Sequence, residues 1–217
     1  MGFSVGRINL LVKSAILHDI GALKLQQLPD AEDLDDGTKE VVKKNTQETL
    51  DRYGDLDEEV LRLITQMQEL YTRESDAEIP AGLKESVNAN ILYVADAYDR
   101  MTAMKSFEEP TSEVKAVREL LADEERYNKK IVNALIHGIS ILYPGVCVEL
   151  SNGEKGLVIT ENEDNIFEPT VLDFRNNNLY DLSDPSVKQT IEIADVMKTM
   201  DNRIKLDKSL LEEYQAN

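Results

Sequence analysis

The chain of 217 residues has little of what several classes of protein require. Its one cysteine, Cys147, excludes an intrachain disulfide framework and is typical of a protein in a reducing cytosol. Its two histidines are few for general acid–base catalysis or transition-metal binding. The sequence has no Gly-rich phosphate loop, no cysteine pair for zinc and no Gly-x-Ser-x-Gly motif. These absences exclude the usual forms of a P-loop, a zinc finger and a serine hydrolase.

Basic residues are also few. The chain has 24 Lys and Arg against 42 Asp and Glu, a formal charge of −18. This balance disfavours binding to nucleic acid or to an anionic membrane, because both require clustered Lys and Arg. The apolar stretches are broken by charges well short of the roughly 20 residues that a membrane span needs. The apolar run at 1–11 lacks a small-residue cleavage site, so we expect no signal peptide and a cytoplasmic protein.

Apolar residues recur at helical spacing up to about residue 143 and alternate afterwards. The sequence therefore predicts a mainly α protein, with a helical bundle over 1–143 and a small antiparallel β element over 144–217 that ends in a helical or frayed tail from Lys198. A stripe of apolar residues between Ile8 and Ile16 predicts the first helix, which ends near Gly21. The further predicted helices span 38–52, 57–74, 83–105, 112–121 and 128–142.

The β element is predicted from alternation and from a turn signal. Asn152-Gly153 lies between two alternating runs, 146–150 and 156–159, and Asn-Gly at such a position strongly favours a hairpin. Further strands are expected at 169–174, 179–182 and 190–196.

An acidic stretch at 30–37 separates the first two predicted helices. Its carboxylates repel one another, which favours a solvated loop, and the alternative is an exposed cation site.

His18-Asp19 is the one dipeptide with a specific chemical interpretation. An imidazole beside a carboxylate suits a borderline metal such as manganese, iron or zinc. The alternative is a helix end before Gly21, with His18 near the negative end of the helix dipole.

Three segments resemble one protein family. The run 15–21, Ala-Ile-Leu-His-Asp-Ile-Gly, is similar to the motif of the HD phosphohydrolase superfamily. The run 91–102, with Val-Ala-Asp at its centre, resembles the HD-GYP branch, and 143–156 resembles the β element that ends many such proteins. The resemblance implies a helical domain around two or three metals that hydrolyses cyclic di-GMP. It also implies that His18 holds one metal, that Asp19 bridges two and that Asp96 holds the other.

The sequence departs from this family where the chemistry takes place. Six features of the family are replaced in this sequence: a lysine, a histidine on the next helix, a His-His-Glu run, a Gly-Tyr-Pro-x-Gly-Leu loop, an arginine and an Arg-Pro-Tyr run. The corresponding positions are Ala22, Asn45, Met67-Gln68-Glu69, 78–83, Asn90 and Lys105-Ser106-Phe107. The family's first helices, with a further histidine, would precede Met1. A thioether and neutral amides are poor replacements for imidazole at a dinuclear site.

These departures predict a degenerate HD-GYP-like signalling domain of bacterial type with no confident catalytic residue. His18, Asp19 and Asp96 are its metal-ligand candidates, either for one Mn, Fe or Zn ion or as vestigial, hydrogen-bonded residues. We favour the vestigial state and therefore no cofactor. The expected partners are signalling or regulatory proteins, including a second copy of the chain. The alternatives are a residual metal-dependent phosphohydrolase acting on cyclic di-GMP or another nucleotide, and a dinucleotide sensor without catalysis.

Overall fold

The computed structural model describes residues 2–25, 35–54, 56–72, 79–104 and 109–197. The chain divides into two compact units. The first takes in Met1–Thr111 and Glu119–Leu135, and the second takes in Ser112–Arg118 and Ile136–Asn217. The division at 143 and 144 stays a prediction, as does the tail from Lys198, which lies outside the described residues.

The predicted mainly α architecture with a C-terminal antiparallel sheet is confirmed. The first unit is built on α1 (Val5–Leu17), a 3-10 helix (Ile20–Lys24), α2 (Asp36–Tyr53), α3 (Glu58–Tyr71), α4 (Ala81–Glu85) and α5 (Val87–Thr102). Two further helices, α6 (Glu113–Ala122) and α7 (Lys129–Ile139), each run from one unit into the other. None of the described helices combines the length and the apolar content that crossing a membrane requires.

Polar side chains fix where these helices begin. Ser4, Asp35 and Asp57 accept hydrogen bonds from the first-turn backbone N–H groups of α1, α2 and α3. Such caps satisfy donors that have no partner inside the helix. The predicted acidic loop is wrong at its end, because Asp36 and Gly37 form the first turn of α2 and Asp35 caps it. Residues 26–34 lie outside the described residues.

Helix α3 is the centre of the first unit and packs against both α1 and α5. Its five apolar residues at helical spacing are all buried: Val60, Leu63, Ile64, Met67 and Leu70. Leu10 and Leu17 of α1 pack against the cluster that Val60 and Ile64 form with Leu50 of α2. These contacts place the end of α1, and therefore the His18-Asp19 dipeptide, against α3.

The predicted single helix over 83–105 is wrong in one respect, because Ser86 divides it into α4 and α5. Ser86 takes an extended conformation, with ψ of 92°. The side-chain amide of Asn90 donates to the carbonyl oxygens of Leu83 and Ser86, both at 2.9 Å. An asparagine amide that satisfies backbone carbonyls compensates for the helical bonds lost at the break.

The second unit contains a five-stranded antiparallel sheet in the order β4-β3-β2-β1-β5. Its strands are β1 (Cys147–Leu150), β2 (Lys155–Thr160), β3 (Thr170–Asp173), β4 (Leu179–Asp181) and β5 (Ile193–Val196), and a short helix, α8 (Pro185–Lys188), was not predicted. The Asn-Gly hairpin is confirmed between β1 and β2, where Leu150 N donates to Glu154 O. Only Gly153 of the turn has a positive φ, +82°.

Replacing Gly156 with alanine is expected to lower the free energy of unfolding of the second unit by about 1–2 kcal/mol. A Cβ at this β2 position would lie 2.4 Å from Val171 Cγ1 and 2.9 Å from the Leu172 carbonyl oxygen on β3. The valine methyl can move away, whereas the backbone carbonyl is held by the sheet. Urea unfolding followed by circular dichroism measures the change. A Gly156→Ala protein as stable as the parent would contradict this close packing.

Candidate functional site

Both ring nitrogens of His18 face hydrogen-bond acceptors. His18 is the C-cap of α1, and its Nδ1 lies 2.7 Å from the carbonyl oxygen of Ala15. A carbonyl can only accept, so Nδ1 carries a proton. Its Nε2 lies 3.3 Å from Asp96 Oδ1 on α5, a second acceptor. Two acceptors on one ring favour the doubly protonated imidazolium, which has no lone pair for a metal.

The pKa of His18 is raised above its ordinary value of 6.5. Burial is the largest single influence and lowers this pKa, because it disfavours the charged ring. The hydrogen bonds to Asp96 and Ala15, with the negative charges of Asp96 and Asp19, together outweigh burial. The ring is thus held in its charged form to a higher pH than a free histidine.

Asp96 lies between two positively charged partners. Its second oxygen, Oδ2, is 2.9 Å from Nε of Arg100, one helical turn further along α5. The guanidinium of Arg100 in turn stacks over the ring of Tyr71 on α3, 4.4 Å from the ring centre. Both carboxylate oxygens of Asp96 are therefore engaged. We refer to His18, Asp96 and Arg100 as the ion-pair cluster.

Asp19, the third predicted ligand, is not drawn into this cluster. It is exposed at the N-cap of the 3-10 helix, and its side chain makes no capping hydrogen bond. Its charge still contributes to the raised pKa of His18. Among the described residues, no three His, Cys, Asp or Glu side chains are grouped so that they could hold a metal ion. The structure therefore brings His18 and Asp96 together and leaves Asp19 beside them.

Neutral amides occupy three positions where the resemblance to the HD-GYP branch implies imidazole or guanidinium, and all three bond to backbone carbonyls. Gln68 on α3 is buried and donates from Nε2 to the carbonyl oxygen of His18 at 2.8 Å. Asn45 on α2 donates to the carbonyl of Gly21 at 3.4 Å, and Asn90 donates to that of Leu83. Amide side chains can donate to a carbonyl where an unprotonated ligand nitrogen could not. The contacts of Gln68 and Asn45 hold the polypeptide at His18 and Gly21 in place.

The 3-10 helix that follows Asp19 lies very close to α2. The backbone N–H of Gly21 donates to Thr46 Oγ1 at 2.9 Å, and both residues are buried. A Cβ on Gly21 would lie 2.3 Å from Thr46 N and from the Val42 carbonyl oxygen. Only glycine allows this approach. Gly21 thus fixes the direction in which the chain leaves His18.

Sequence reasoning missed Arg100 and Tyr71. The Asp96–Arg100 spacing of four residues on one helix was a usable signal, because such residues are neighbours on the helix surface. The remaining family positions contribute less here. Met67 is a core residue, and Ala22 lies in the 3-10 helix. His137, which the resemblance does not involve, is exposed on α7. Glu78 and Lys105-Ser106-Phe107 lie outside the described residues.

The chain was compared with curated proteins and with models of protein families. A sequence search of curated proteins returned no match. Residues 4–101 match the family model of the HD domain. The matched stretch runs from the N-cap of α1 to the next-to-last residue of α5, and so contains His18, Asp19 and Asp96. This match supports the HD phosphohydrolase superfamily as the family of the helical region.

Proposed function

We propose that this protein is a degenerate HD domain of the HD-GYP type, which regulates other proteins by binding them and does not hydrolyse cyclic di-GMP. The observation that carries the proposal is the ion-pair cluster, in which Asp96 is held by His18 and by Arg100. The likeness of residues 91–102 to the HD-GYP branch supports that subtype.

The donor set does not fit a dinuclear metal centre of the family type. A divalent ion at Asp96 would have to displace the Arg100 guanidinium, whose own charge repels the ion. It would also need His18 without its proton on Nε2, whereas the surroundings raise the pKa of His18. Asp19 is an exposed carboxylate outside the ion-pair cluster, and it belongs to no group of three ligand side chains among the described residues. We therefore assign no catalytic step to a metal here.

The three amide side chains that replace family residues also support a site without a metal centre. Gln68 and Asn45 donate to the backbone carbonyls of His18 and Gly21, and Asn90 donates to that of Leu83. These bonds stabilise the polypeptide where metal ligation would otherwise have done so. A fold that keeps its helical core and internal bonding while lacking ligand groups is suited to binding and not to turnover.

The experiment is a hydrolysis assay with matched variants. Purified protein is incubated with cyclic di-GMP and either Mn²⁺ or Fe²⁺, beside Asp96→Asn and Asp19→Ala. Asp99→Asn is the control, because Asp99 lies exposed on the same helix outside the ion-pair cluster. We expect the same background from all four proteins, and substoichiometric metal by plasma mass spectrometry after purification without chelator.

Turnover that Asp19→Ala abolishes and Asp99→Asn preserves would overturn this proposal. It would establish instead the residual metal-dependent phosphohydrolase.

Titration calorimetry with cyclic di-GMP tests the alternative of a dinucleotide sensor without catalysis, and we expect no heat of binding. Ala22 and Asn90 stand where the family has cations, so phosphate-binding charge is missing.

A further inference from the structure

One face of α1 exposes a row of aliphatic side chains. Val5, Ile8, Val12 and Ile16 are 75%, 47%, 50% and 70% exposed. Their spacing of three, four and four residues places them on one side of the helix. The opposite side of α1, with Leu10 and Leu17, packs into the core of the first unit. We call these four exposed residues the α1 stripe. A row of this length differs from single apolar residues scattered on a surface.

Within α1 itself, the residues beside the α1 stripe carry no negative charge. The residues that border it, Asn9 and Ala15, are exposed and neutral. Residues 2–18 contain Arg7 and Lys13 and no Asp or Glu, a charge of +2. The whole chain has a charge of −18, so the rest of it carries −20. In a pair of copies that meet at this face, the two α1 helices lie between the acidic remainders of the chains, which limits the repulsion between those remainders.

The α1 stripe is also complementary to itself. In an antiparallel pair of α1 helices, Val5 faces Ile16 of the second copy and Ile8 faces Val12, because the spacing is nearly the same in both directions. A two-fold axis generates this pairing, in which the same patch is used on both copies. Antiparallel helices also oppose their macrodipoles favourably. We infer that a second copy of this chain binds at the α1 stripe and forms a symmetric dimer.

The small area of the α1 stripe limits the affinity of the dimer. A 13-residue helix is about 20 Å long. One face of such a helix provides less than the roughly 800 Å² per partner of a standard stable interface. We therefore expect a reversible dimer with a dissociation constant in the micromolar range, and not an obligate one.

Analytical ultracentrifugation of the full chain, from about 5 to about 500 µM, tests the inference. We expect a monomer–dimer equilibrium whose dissociation constant rises at least tenfold in Ile16→Glu. Leu179→Glu on β4 is the control, since it adds the same charge at another exposed apolar position. It should leave the constant unchanged. Circular dichroism confirms that both variants are folded, as expected for exposed positions.

Crosslinking tests the orientation. In a Cys147→Ser background, Val5→Cys and Ile16→Cys proteins are oxidised separately and as a mixture. We expect the disulfide dimer mainly in the mixture. A protein that stays monomeric throughout, or equal effects of Ile16→Glu and Leu179→Glu, would overturn the inference. Crosslinking of Val5→Cys with itself would overturn the antiparallel arrangement.

This inference rests on the proposed function only for its regulatory meaning, and the two fail separately. Cyclic di-GMP turnover would reject the proposed function and leave the dimer in place. A monomer without turnover would reject the dimer alone.

Discussion

Gly21→Ala is expected to lower the free energy of unfolding of the helical unit by about 3 kcal/mol or more. The added Cβ would lie 2.3 Å from Thr46 N and from Val42 O, both of which belong to the backbone of α2. Neither atom can rotate away as a side chain can, so the 3-10 helix has to move off α2. That movement also breaks the bond from Gly21 N to Thr46 Oγ1. Urea unfolding measures the loss.

Gly6→Ala is the matched control for this substitution. Gly6 lies in α1 of the same unit, and nothing lies within 4 Å of a Cβ built there. Alanine is favoured over glycine in a helix, so Gly6→Ala should leave the stability unchanged or raise it slightly. Equal losses from the two substitutions would show that glycine at 21 is not required by the contact with α2.

The sequence predicted the fold where local patterns and packing agree. Helix α3 illustrates this, because its capping Asp57 and its five regularly spaced apolar residues point to the same helix and the same buried face. The β1–β2 hairpin was predictable because its turn needs a positive φ at Gly153. In both cases residues close in the chain determine the structure.

Helix α1 shows where the pattern was insufficient. Its most regular apolar stripe, at Ile8, Val12 and Ile16, lies on the exposed side. The side that packs on the core contains Leu10, Leu17 and the buried Ser14. Periodicity identifies a helix and its apolar sides. When two sides of one helix both carry apolar residues, periodicity alone does not show which side faces the core.

The candidate site could be predicted only in part, because its contacts join distant segments. His18 and Asp96 are 78 residues apart and were placed together only through the family resemblance. The role of Arg100 was not foreseen, although the Asp96–Arg100 spacing allowed it. The replacement of ligands by amides was visible in the sequence, but the carbonyls that they bind were not. Such a hydrogen bond forms only where two distant segments of the backbone approach each other, and local sequence patterns do not reveal which segments do so.

The ion-pair cluster explains why His18 and Asp96 remain compatible with a stable fold without catalysis. The side chains of His18 and Asp96 are largely buried, at 20% and 16% exposure, and such charges are costly unless they are paired. Arg100 supplies a permanent charge opposite Asp96, and Tyr71 covers its guanidinium. Loss of Asp96 removes the one carboxylate that both His18 and Arg100 contact, so the cluster depends mainly on this residue.

Asp96→Asn should therefore lower the free energy of unfolding by about 2 kcal/mol at pH 6, the scale of a hydrogen bond between charged groups. The substitution keeps the shape of the side chain but removes the negative charge opposite His18 and Arg100. Asp99→Asn on the same helix is the control and should change the stability by less than about 0.5 kcal/mol. If the two variants lose the same amount, the cluster contributes no specific stability.

The cost of Asp96→Asn should depend on pH in a direction set by His18. The pKa of His18 is raised in the folded state, so its protonated ring contributes stability that is fully present below the unfolded value of 6.5. That contribution disappears as the pH rises through the folded pKa. The difference in the free energy of unfolding between parent and Asp96→Asn should thus shrink above pH 6.5 towards the part due to Arg100, which stays charged.

NMR titration measures the pKa of His18 directly. The chain has only one other histidine, His137, which is exposed and can be assigned with His137→Gln. We expect the pKa of His18 to lie above 6.5 in the parent and to fall in Asp96→Asn. The same pKa in both proteins would mean that Asp96 does not hold the proton on His18.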